Sequence, residues 1–299
     1  MRDNSLGRGA PPCVPFEENF SFSAHTTYGC GGVAKRAFFP RNIREARLIF
    51  NFLNSSGERF FVLGCGSDVL AQDGRYEGSI ICTYRLKGIT FRTIKGEYVL
   101  NILSGTTVQE LLYFCRTYGF SGLEFLAGIP ASIGGLTCMN GGAFGGFIGD
   151  MVYSVRLCGL KKAVLSQDEC NFAYKQSTMR GIKCLITQIN LRTSRENPAL
   201  VAKNIKNILA KRANQPGGRS CGCVFENYCG VSAGEIIENA GLKGVSVGKA
   251  YVSKEHANFI INKGNSSADV YALIALVKNE VYKKFGVTLK EEVCYIGDF

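Results

Sequence analysis

The segment from Gly122 to Gly146 combines two properties that seldom occur together, because it is rich in glycine and also apolar. Its eight glycines are interspersed with leucine, isoleucine, phenylalanine and methionine. A flexible linker would be polar, so this segment is expected to pack. Packed glycine indicates that the backbone approaches another group closely enough to exclude a side chain. We interpret the segment as a surface for a large ligand with phosphates and a flat ring, which predicts a cofactor-dependent enzyme.

The composition is typical of a globular protein with two or three domains, since 46% of the 299 residues are hydrophobic and 20% are charged. Residues 1–15 lack the apolar core of a signal peptide, and no apolar run is long enough to span a membrane. An odd count of 13 scattered cysteines favours free thiols in a reducing cytoplasm over a disulfide framework. Because His25 and His256 are the only histidines, we predict no metal site.

The formal net charge of +11 favours an anionic partner. The basic residues are spread along the chain, and no nucleic-acid-binding motif is found. We therefore predict a phosphate-bearing small ligand, with no nucleic acid and no membrane as partner. A solvated basic surface without a binding role is the alternative interpretation.

Helix and strand signals alternate along the chain and predict an α+β fold. Asn42 with Glu45 three residues later predicts the start of a helix that continues to Leu53, and Thr107 with Glu110 forms a second capping pattern. Further predictions are strands over 60–63, 154–157 and 184–191, a helix over 200–213 with Val201, Ile205, Ile208 and Leu209 facing inward, a junction over 214–219, a helix from Ser266 to Gly286, and a last strand over 287–296.

The turn Gly64–Ser67 follows the predicted strand over 60–63, and its backbone N–H groups and serine hydroxyl would suit a pyrophosphate. It is not a Rossmann fingerprint, because Val69 occupies the position of the third glycine. A tight structural turn explains this loop equally well, and the segment 26–32 is just as unspecific by itself.

The order of these segments resembles the UDP-N-acetylenolpyruvoylglucosamine reductases, the MurB-type enzymes of peptidoglycan synthesis. The resemblance covers about residues 22–297. The chain is too short to contain the extra tyrosine-bearing loop of the longer family type, so it resembles the shorter, second type. The segments that carry it are HTTYGCGG (25–32), VLGCGSDVL (62–70), GLEFLAGIPASIGGLTCMNGGAFG (122–145), SCGCVFEN (220–227), SAGEIIENAGLKG (232–244), VSKEHANFIIN (252–262) and VTLKEEVCYIG (287–297).

The resemblance implies non-covalent FAD in a two-part domain of the vanillyl-alcohol-oxidase (PCMH) type, followed by an α/β substrate domain. We expect a loose arm over 1–20, FAD-binding subdomains over 21–80 and 81–212, and a UDP-sugar domain over 213–299. The FAD contacts implied by the matching motifs are Tyr28, Gly31, Gly64, Cys65, Gly66, Ser67, Asp68, Gly105, Gly128, Ile129, Pro130, Ser132, Gly134, Gly135, Asn140, Gly142 and Ala143.

The implied activity is the reduction of UDP-N-acetylglucosamine enolpyruvate to UDP-N-acetylmuramate by NADPH through FAD, in a cytoplasmic enzyme that we expect to be a monomer. Cys223 lies where the family has its proton-donating serine, and Glu292 matches the catalytic glutamate. Lys175 lies where the family has the arginine that binds the substrate carboxylate. The substrate contacts implied by the motifs are Tyr174, Asn227, His256 and Asn258.

Several departures from the family pattern leave alternatives open. Lysine at position 175 keeps the positive charge but loses the bidentate geometry of arginine, and Arg180 could reach in instead. Glu226 and Asn214 remove positive charge where a diphosphate is expected. The alternatives are a related FAD-linked oxidase of another small molecule, or a flavin- or UDP-sugar-binding paralogue that has lost catalysis. For Cys223 and His256 individually, a purely structural role remains the competing interpretation.

Overall fold

The computed structural model describes residues 14–299, and the first thirteen residues of the predicted arm lie outside this range. The arm predicted to reach residue 20 is wrong at its C-terminal end, because Phe16–Ser21 is a strand. This strand pairs with Val33–Phe38 in antiparallel register, and Phe20 within it is fully buried. The buried aromatic side chain and the backbone pairing explain why this part of the chain is ordered.

The described residues contain strands and helices in alternation. The strands are β1 Phe16–Ser21, β2 Val33–Phe38, β3 Phe60–Leu63, β4 Val69–Ala71, β5 Arg75–Cys82, β6 Ile89–Ile94, β7 Glu97–Leu103, β8 Phe120–Ser121, β9 Gly142–Ala143, β10 Gly146–Phe147, β11 Val152–Cys158, β12 Val164–Ser166, β13 Leu185–Arg195, β14 Ser246–Val247, β15 Ala250–Val252, β16 Ile260–Asn262 and β17 Cys294–Ile296. The helices are α1 Phe22–His25, α2 Ile43–Ser55, α3 Val108–Tyr118, α4 Ile133–Cys138, α5 Ile148–Met151, α6 Pro198–Lys211, α7 Ala233–Asn239 and α8 Ser267–Phe285.

The first sheet has the strand order β1-β2-β5-β3, and its last two pairings are parallel. Helix α2 packs against it with one apolar face, on which Ala46, Ile49 and Leu53 are buried. The predicted cap is confirmed, since Asn42 Oδ1 accepts a hydrogen bond from the Glu45 N–H at 2.9 Å. Strand β3 ends at the loop 64–68, so the sheet presents that loop at its edge.

The second sheet is antiparallel with the order β12-β11-β13-β7-β6, and β8 adds to the far end of β13. Helix α3 begins with the predicted capping box of Thr107 and Glu110. Helix α6 packs beside α3, but the prediction for Leu209 is wrong, because this side chain is 46% exposed. Leu209 lies on the side of α6 that faces the loop at Gly128 and not the sheet, which explains its exposure.

The C-terminal part consists of the sheet β14-β15-β16 with helices α7 and α8. Helix α8 begins and ends as predicted, with Ser266 as the N-cap and Gly286 in the left-handed conformation at its end. Tyr28, Cys30 and Leu70 from the N-terminal part belong to the same hydrophobic core. The domain boundaries stay predictions, but this shared core joins the C-terminal part to the segments around Tyr28 and β4.

The last strand is shorter than predicted and consists of β17 alone. The preceding residues bond to the segment 224–226 instead: the Glu292 N–H donates to the Val224 carbonyl, and the Glu226 N–H donates to the Lys290 carbonyl, both at 2.8 Å. Strand β17 pairs in parallel with β4, and the Cys294 N–H donates to the Asp68 carbonyl at 2.9 Å. The C-terminal segment therefore connects the loop 64–68 to the segment that contains Cys223.

Residues 14–299 contain neither a helix that could span a membrane nor a cluster of metal-binding side chains. No helix there is both long and apolar enough to cross a membrane. Within the same residues, no cluster of three or more histidine, cysteine, aspartate or glutamate side chains could hold a metal ion.

Candidate active site

Three predicted catalytic residues from distant parts of the chain lie together. Lys175 Nζ donates to Glu292 Oε2 at 2.8 Å, and the two side chains are only 20% and 10% exposed. Cys223 lies in the segment that is hydrogen-bonded to the residues around Glu292, and it forms a β-bridge with Phe259. The charges of Lys175 and Glu292 both act on the Cys223 thiol. An acid, a cation and a carboxylate are thus available at one place.

Burial and the attraction between the two side chains act in opposite directions on the pKa values of Glu292 and Lys175. Burial raises the pKa of Glu292, and the opposing attraction of Lys175 does not fully offset that effect. Burial alone would lower the pKa of Lys175, but the charge and hydrogen bond of Glu292 raise it instead. Lys175 therefore keeps its positive charge at neutral pH, as a carboxylate-binding residue requires.

The Cys223 thiol carries a proton at neutral pH. Burial is the main cause that raises its pKa to about 11, and the negative charge of Glu292 acts in the same direction. Lys175 and Arg212 oppose the shift. A thiol that keeps its proton until an adjacent anion forms has the properties of a general acid.

Asp68 brings an additional carboxyl group to this cluster. Burial, followed by the charge of Glu292, raises its pKa to about 8. One of its oxygens, Oδ1, is buried and has no hydrogen-bond partner among the described residues. Asp68 is therefore largely protonated at neutral pH, in which state it can donate a hydrogen bond.

Arg180 does not take over the place of the Lys175 ammonium. Its Nη1 donates to the Lys175 carbonyl oxygen and, at 3.0 Å, to Glu226 Oε1. Glu226, which replaces a cation of the family pattern, is also paired through Oε2 with Lys290 Nζ at 2.9 Å. The negative charge of Glu226 is therefore held between two cations, Arg180 and Lys290.

Two of the predicted substrate contacts are engaged in holding the protein itself. The buried Asn258 side chain accepts from the Phe225 N–H and donates to the Phe225 carbonyl, both at 2.9 Å. His256 Nδ1 accepts from the Asn258 N–H at 3.2 Å. These bonds fix the segment between Cys223 and Asn227, so the direct substrate contacts of His256 and Asn258 stay predictions.

Asn227 and Tyr174 lie at the exposed side of the cluster. The Tyr174 hydroxyl accepts from the Asn227 N–H at 3.3 Å, and the Asn227 side chain accepts from the Ala233 N–H at 3.1 Å. The Asn227 amide nitrogen and the Tyr174 ring remain available at the surface for a ligand.

The loop predicted to bind a pyrophosphate has the required donors. The backbone N–H groups of Cys65, Gly66 and Ser67 donate to no backbone carbonyl of residues 14–299. The loop is held by Thr27, whose N–H donates to the Gly66 carbonyl at 3.0 Å. Gly66 adopts a φ of 63°, and a Cβ there would lie 2.2 Å from the His25 carbonyl oxygen. Free N–H groups on a turn of this kind form an anion site.

The glycine-rich segment is explained in part by contacts within the protein. A Cβ on Gly134 would lie 2.7 Å from the Ser104 Cβ, and one on Gly142 would lie 1.9 Å from the Gly146 carbonyl oxygen. A Cβ on Gly105, another predicted FAD contact, would lie 1.7 Å from the Thr83 carbonyl oxygen. The interpretation that these glycines approach a ligand is therefore incomplete, because much of the close approach is backbone against backbone.

Several further predicted FAD contacts brace this segment. Ser132 Oγ accepts from the Gly135 N–H at 3.3 Å and caps α4. Asn140 accepts from the Gly149 N–H at 2.9 Å and donates to the Ala173 carbonyl at 2.8 Å. The Ala173 bond ties the segment to the loop that contains Lys175. The others flank the same turns: Gly128, Ile129 and Pro130 precede α4, and Ala143 lies in β9.

Tyr28 lies in the core, and Gly31 packs against strand β4. The Tyr28 ring is fully buried, and its hydroxyl is 3.2 Å from Cys221 Sγ. A Cβ on Gly31 would lie 2.8 Å from the Ala71 carbonyl oxygen. Their contact with FAD stays a prediction.

Arg212 belongs to this region and was not found from the sequence. Its Cδ and Nε lie 2.9 and 3.0 Å from the place where Gly128 would have a Cβ. Nε is buried without a hydrogen-bond partner among residues 14–299, as is the Ser104 hydroxyl beside Gly134. Arg212 Nη2 donates to Gln215 Oε1 at 3.1 Å, so only the Nε end of the guanidinium lacks a partner. A buried guanidinium nitrogen and a buried hydroxyl without partners, both against the glycine-rich segment, fit a large polar cofactor there. Nothing in the local sequence distinguishes Arg212 from an exposed cation at a helix end.

Comparison with known proteins agrees with both halves of this arrangement. Residues 34–159 match a family profile described as an FAD binding domain. Residues 212–296 match the profile of the UDP-N-acetylenolpyruvoylglucosamine reductase C-terminal domain. The predicted α+β fold with an FAD-binding domain and a separate C-terminal domain is confirmed.

Individual relatives extend the match over nearly the whole chain. A UDP-N-acetylenolpyruvoylglucosamine reductase from Thermotoga petrophila is 36% identical over 279 residues, covering 91% of this chain and 95% of the relative. One from Chlamydia abortus is 34% identical and covers 90% of both. The crystal structure of the reductase from Thermus caldophilus superposes with a TM-score of 0.76 at 29% identity, covering 95% of this chain and 99% of that one.

Proposed function

Because this chain belongs to the UDP-N-acetylenolpyruvoylglucosamine reductase family, we propose that it converts UDP-N-acetylglucosamine enolpyruvate to UDP-N-acetylmuramate. The observation that carries the proposal is the convergence of Lys175, Glu292 and Cys223 beside the glycine-rich segment. When bound, FAD supplies the hydride for the enolpyruvyl double bond, and we propose NADPH as the source of that hydride.

We propose that two groups of residues bind FAD. The free N–H groups of Cys65, Gly66 and Ser67 would receive the pyrophosphate. The segment from Gly128 to Gly145 would receive the ring, with Arg212 supplying a positive charge beside it. These contacts need no covalent attachment.

The catalytic residues would divide the remaining work. The Lys175 ammonium would bind the substrate carboxylate and stabilise the negative charge that spreads into it when hydride adds to the double bond. The Cys223 thiol would then give its proton to the carbon that received no hydride. Glu292 keeps Lys175 charged and oriented before the substrate arrives.

We further propose a monomeric cytoplasmic enzyme. All twelve cysteines of the described residues are free thiols, which suits a reducing compartment. The net charge of +11 suits a nucleotide-sugar substrate and a phosphorylated hydride donor.

Two other functions are distinguished by one experiment. The residues that depart from the family pattern favour a flavin- or UDP-sugar-binding paralogue without catalysis; they are Lys175, Cys223, Glu226 and Asn214. An FAD-linked oxidase of another small molecule is the other alternative. The purified protein would be reduced anaerobically with NADPH, and the enolpyruvyl UDP-sugar would then be added. A rapid return of the oxidised flavin spectrum supports the reductase. Reduction without substrate-dependent return contradicts it. A protein that binds no flavin contradicts both the reductase and the oxidase and leaves only a paralogue that binds the UDP-sugar.

A further inference from the structure

Arg180 joins two elements of the candidate active site. It follows the Lys175 loop in the chain, and its guanidinium donates to both the Lys175 carbonyl and the Glu226 carboxylate. The side chains of Arg180 and Glu226 are 23% and 10% exposed, so water screens their ion pair only partly. The contact spans 46 residues of sequence and connects the Lys175 loop to the segment that contains Cys223.

Glu226 continues this connection toward Glu292. Its second carboxylate oxygen pairs with Lys290 Nζ at 2.9 Å, and its N–H donates to the Lys290 carbonyl at 2.8 Å. Lys290 lies two residues before Glu292. Because the Lys290 side chain is 59% exposed, its ion pair with Glu226 is weaker than that of Arg180.

The backbone of Lys175 explains why its loop needs support. Lys175 has a φ of 54°, in the left-handed region that is unfavourable for a residue with a Cβ. The hydrogen bond from Arg180 to the carbonyl of the same residue holds this conformation. If the conformation relaxes, the Lys175 ammonium moves away from Glu292.

We propose that Arg180 and Glu226 are positioning residues that hold Lys175 against Glu292 and balance the charge around that carboxylate. The inference rests on the proposed reductase function. It also assigns a role to glutamate at 226, where the related motif has a cation: the glutamate connects Arg180 to the C-terminal segment.

The two partners act on Glu292 with opposite sign. Lys175 and Arg180 lower the pKa of Glu292, whereas burial and the charge of Glu226 raise it. The other titratable or charged groups of residues 14–299 that face this cluster are Asp68, Cys138, Tyr174, Arg212, Cys221, Cys223, Lys290 and Cys294. Removing Arg180 therefore raises the pKa of Glu292, and neutralising Glu226 lowers it.

The opposite pKa shifts expected for the two variants distinguish a role of charge from simple structural support. Arg180→Met and Glu226→Gln both break the same ion pair, so loss of support alone would change both variants in the same direction. The matched controls are Lys283→Met and Glu280→Gln, which break the exposed Lys283–Glu280 pair on α8. Arg180→Lys keeps the charge, and it should keep the wild-type pH profile while the rate falls because the two-way contact is lost.

The measurement is the rate at which enolpyruvyl UDP-sugar reoxidises the NADPH-reduced flavin, followed from about pH 5 to 9. We expect the acid-side apparent pKa to rise in Arg180→Met and fall in Glu226→Gln, by roughly half a unit to one unit each. The controls should follow the wild type. Shifts of the same sign in both variants, or no shift in either, would overturn the proposal.

A second readout needs no turnover. Glu226 lies three residues from Cys223 and is paired with Arg180. Loss of a nearby cation raises the pKa of a thiol and loss of a nearby anion lowers it. Alkylation of Cys223 by iodoacetamide at a fixed alkaline pH should therefore be slower in Arg180→Met and faster in Glu226→Gln, measured by mass spectrometry of the peptide that contains Cys223. A wild-type protein that is not reoxidised by the substrate would contradict the proposed function alone. Equal alkylation rates in the two variants would contradict the positioning role alone, and failure of Arg180→Met to fold leaves Glu226→Gln and Arg180→Lys to decide.

Discussion

Lys175 Nζ and Glu292 Oε2 lie 2.8 Å apart although 117 residues of sequence separate them. Each charge is mostly buried, so each depends on the other to remain favourable. A substrate carboxylate that approaches Lys175 must therefore compete with Glu292 or share the ammonium with it. Lysine at position 175, where the family pattern has arginine, cannot bind a carboxylate through two parallel hydrogen bonds. Lys175 therefore provides the first test.

Lys175→Ala should lower the rate of flavin reoxidation by the enolpyruvyl substrate by about 100-fold or more, because the charge that stabilises the developing anion is lost. Lys175→Arg should keep most of the wild-type rate, since the guanidinium can pair with a carboxylate in two places. Stopped-flow absorbance of the flavin measures both. An exposed cation, Lys162, provides the control variant Lys162→Ala. A rate in Lys175→Ala equal to that of the control would show that this residue does not bind the reacting carboxylate.

Cys223→Ala should lower the same rate by about 100- to 10,000-fold while NADPH still bleaches the flavin, because only the proton transfer to carbon is removed. Cys223→Ser restores the residue that is usual in the family and should recover part of the activity. A neighbouring thiol supplies the control, since Cys229 is exposed and Cys229→Ala should behave as the wild type. Undiminished reoxidation in Cys223→Ala would assign the proton to another donor.

The sequence predicted those parts of the fold that depend on neighbouring residues. The caps at Asn42, Thr107 and Ser266 each need a partner three residues away, and all three are present. The prediction that Leu209 is buried was wrong, because helical periodicity shows which residues share a face but not which face packs against the sheet. The prediction of one strand over 287–296 was wrong, because the backbone of Lys290 and Glu292 forms hydrogen bonds with the segment 224–226, which no local pattern indicates.

For the site, the sequence predicted residue types but not their partners. Glycine indicates that something comes close, and for Gly134 and Gly142 that neighbour is the protein itself. Glu226 was interpreted as a loss of positive charge, since its partners Arg180 and Lys290 lie 46 and 64 residues away in the chain. Charge balance of this kind depends on tertiary contacts that a single sequence does not contain.

The packing of the glycine-rich segment predicts a sharp difference between two glycine substitutions. In Gly142→Ala the new Cβ would lie 1.9 Å from a backbone oxygen that cannot move freely, and we expect a destabilisation of about 1–3 kcal/mol together with a lower flavin content. Gly217→Ala is the matched control, because its Cβ would meet nothing within 4 Å and its φ needs no glycine. Thermal melting and the ratio of visible to ultraviolet absorbance report the two quantities. Equal melting temperatures would contradict the packing argument.

The last prediction concerns the stability conferred or lost by Asp68 as the pH changes. Burial, with the charge of Glu292 next, raises the pKa of Asp68 from an ordinary value of 3.8 to about 8. Between these two values the folded protein holds a proton that the unfolded chain has released, so the folded state loses stability as the pH rises through this interval. The penalty is absent below about pH 4 and complete above about pH 8.

Asp68→Asn keeps the size of the side chain and cannot ionise, so it removes this penalty. The variant should match the wild type in urea unfolding near pH 4 and exceed it by on the order of 1–3 kcal/mol near pH 8. Asp168→Asn, at an exposed position, should show no such trend. A difference between Asp68→Asn and the wild type that stays constant across this range would mean that Asp68 is already charged in the folded protein. The trend itself would mean that this carboxyl is protonated in the folded protein at neutral pH and can donate a hydrogen bond there.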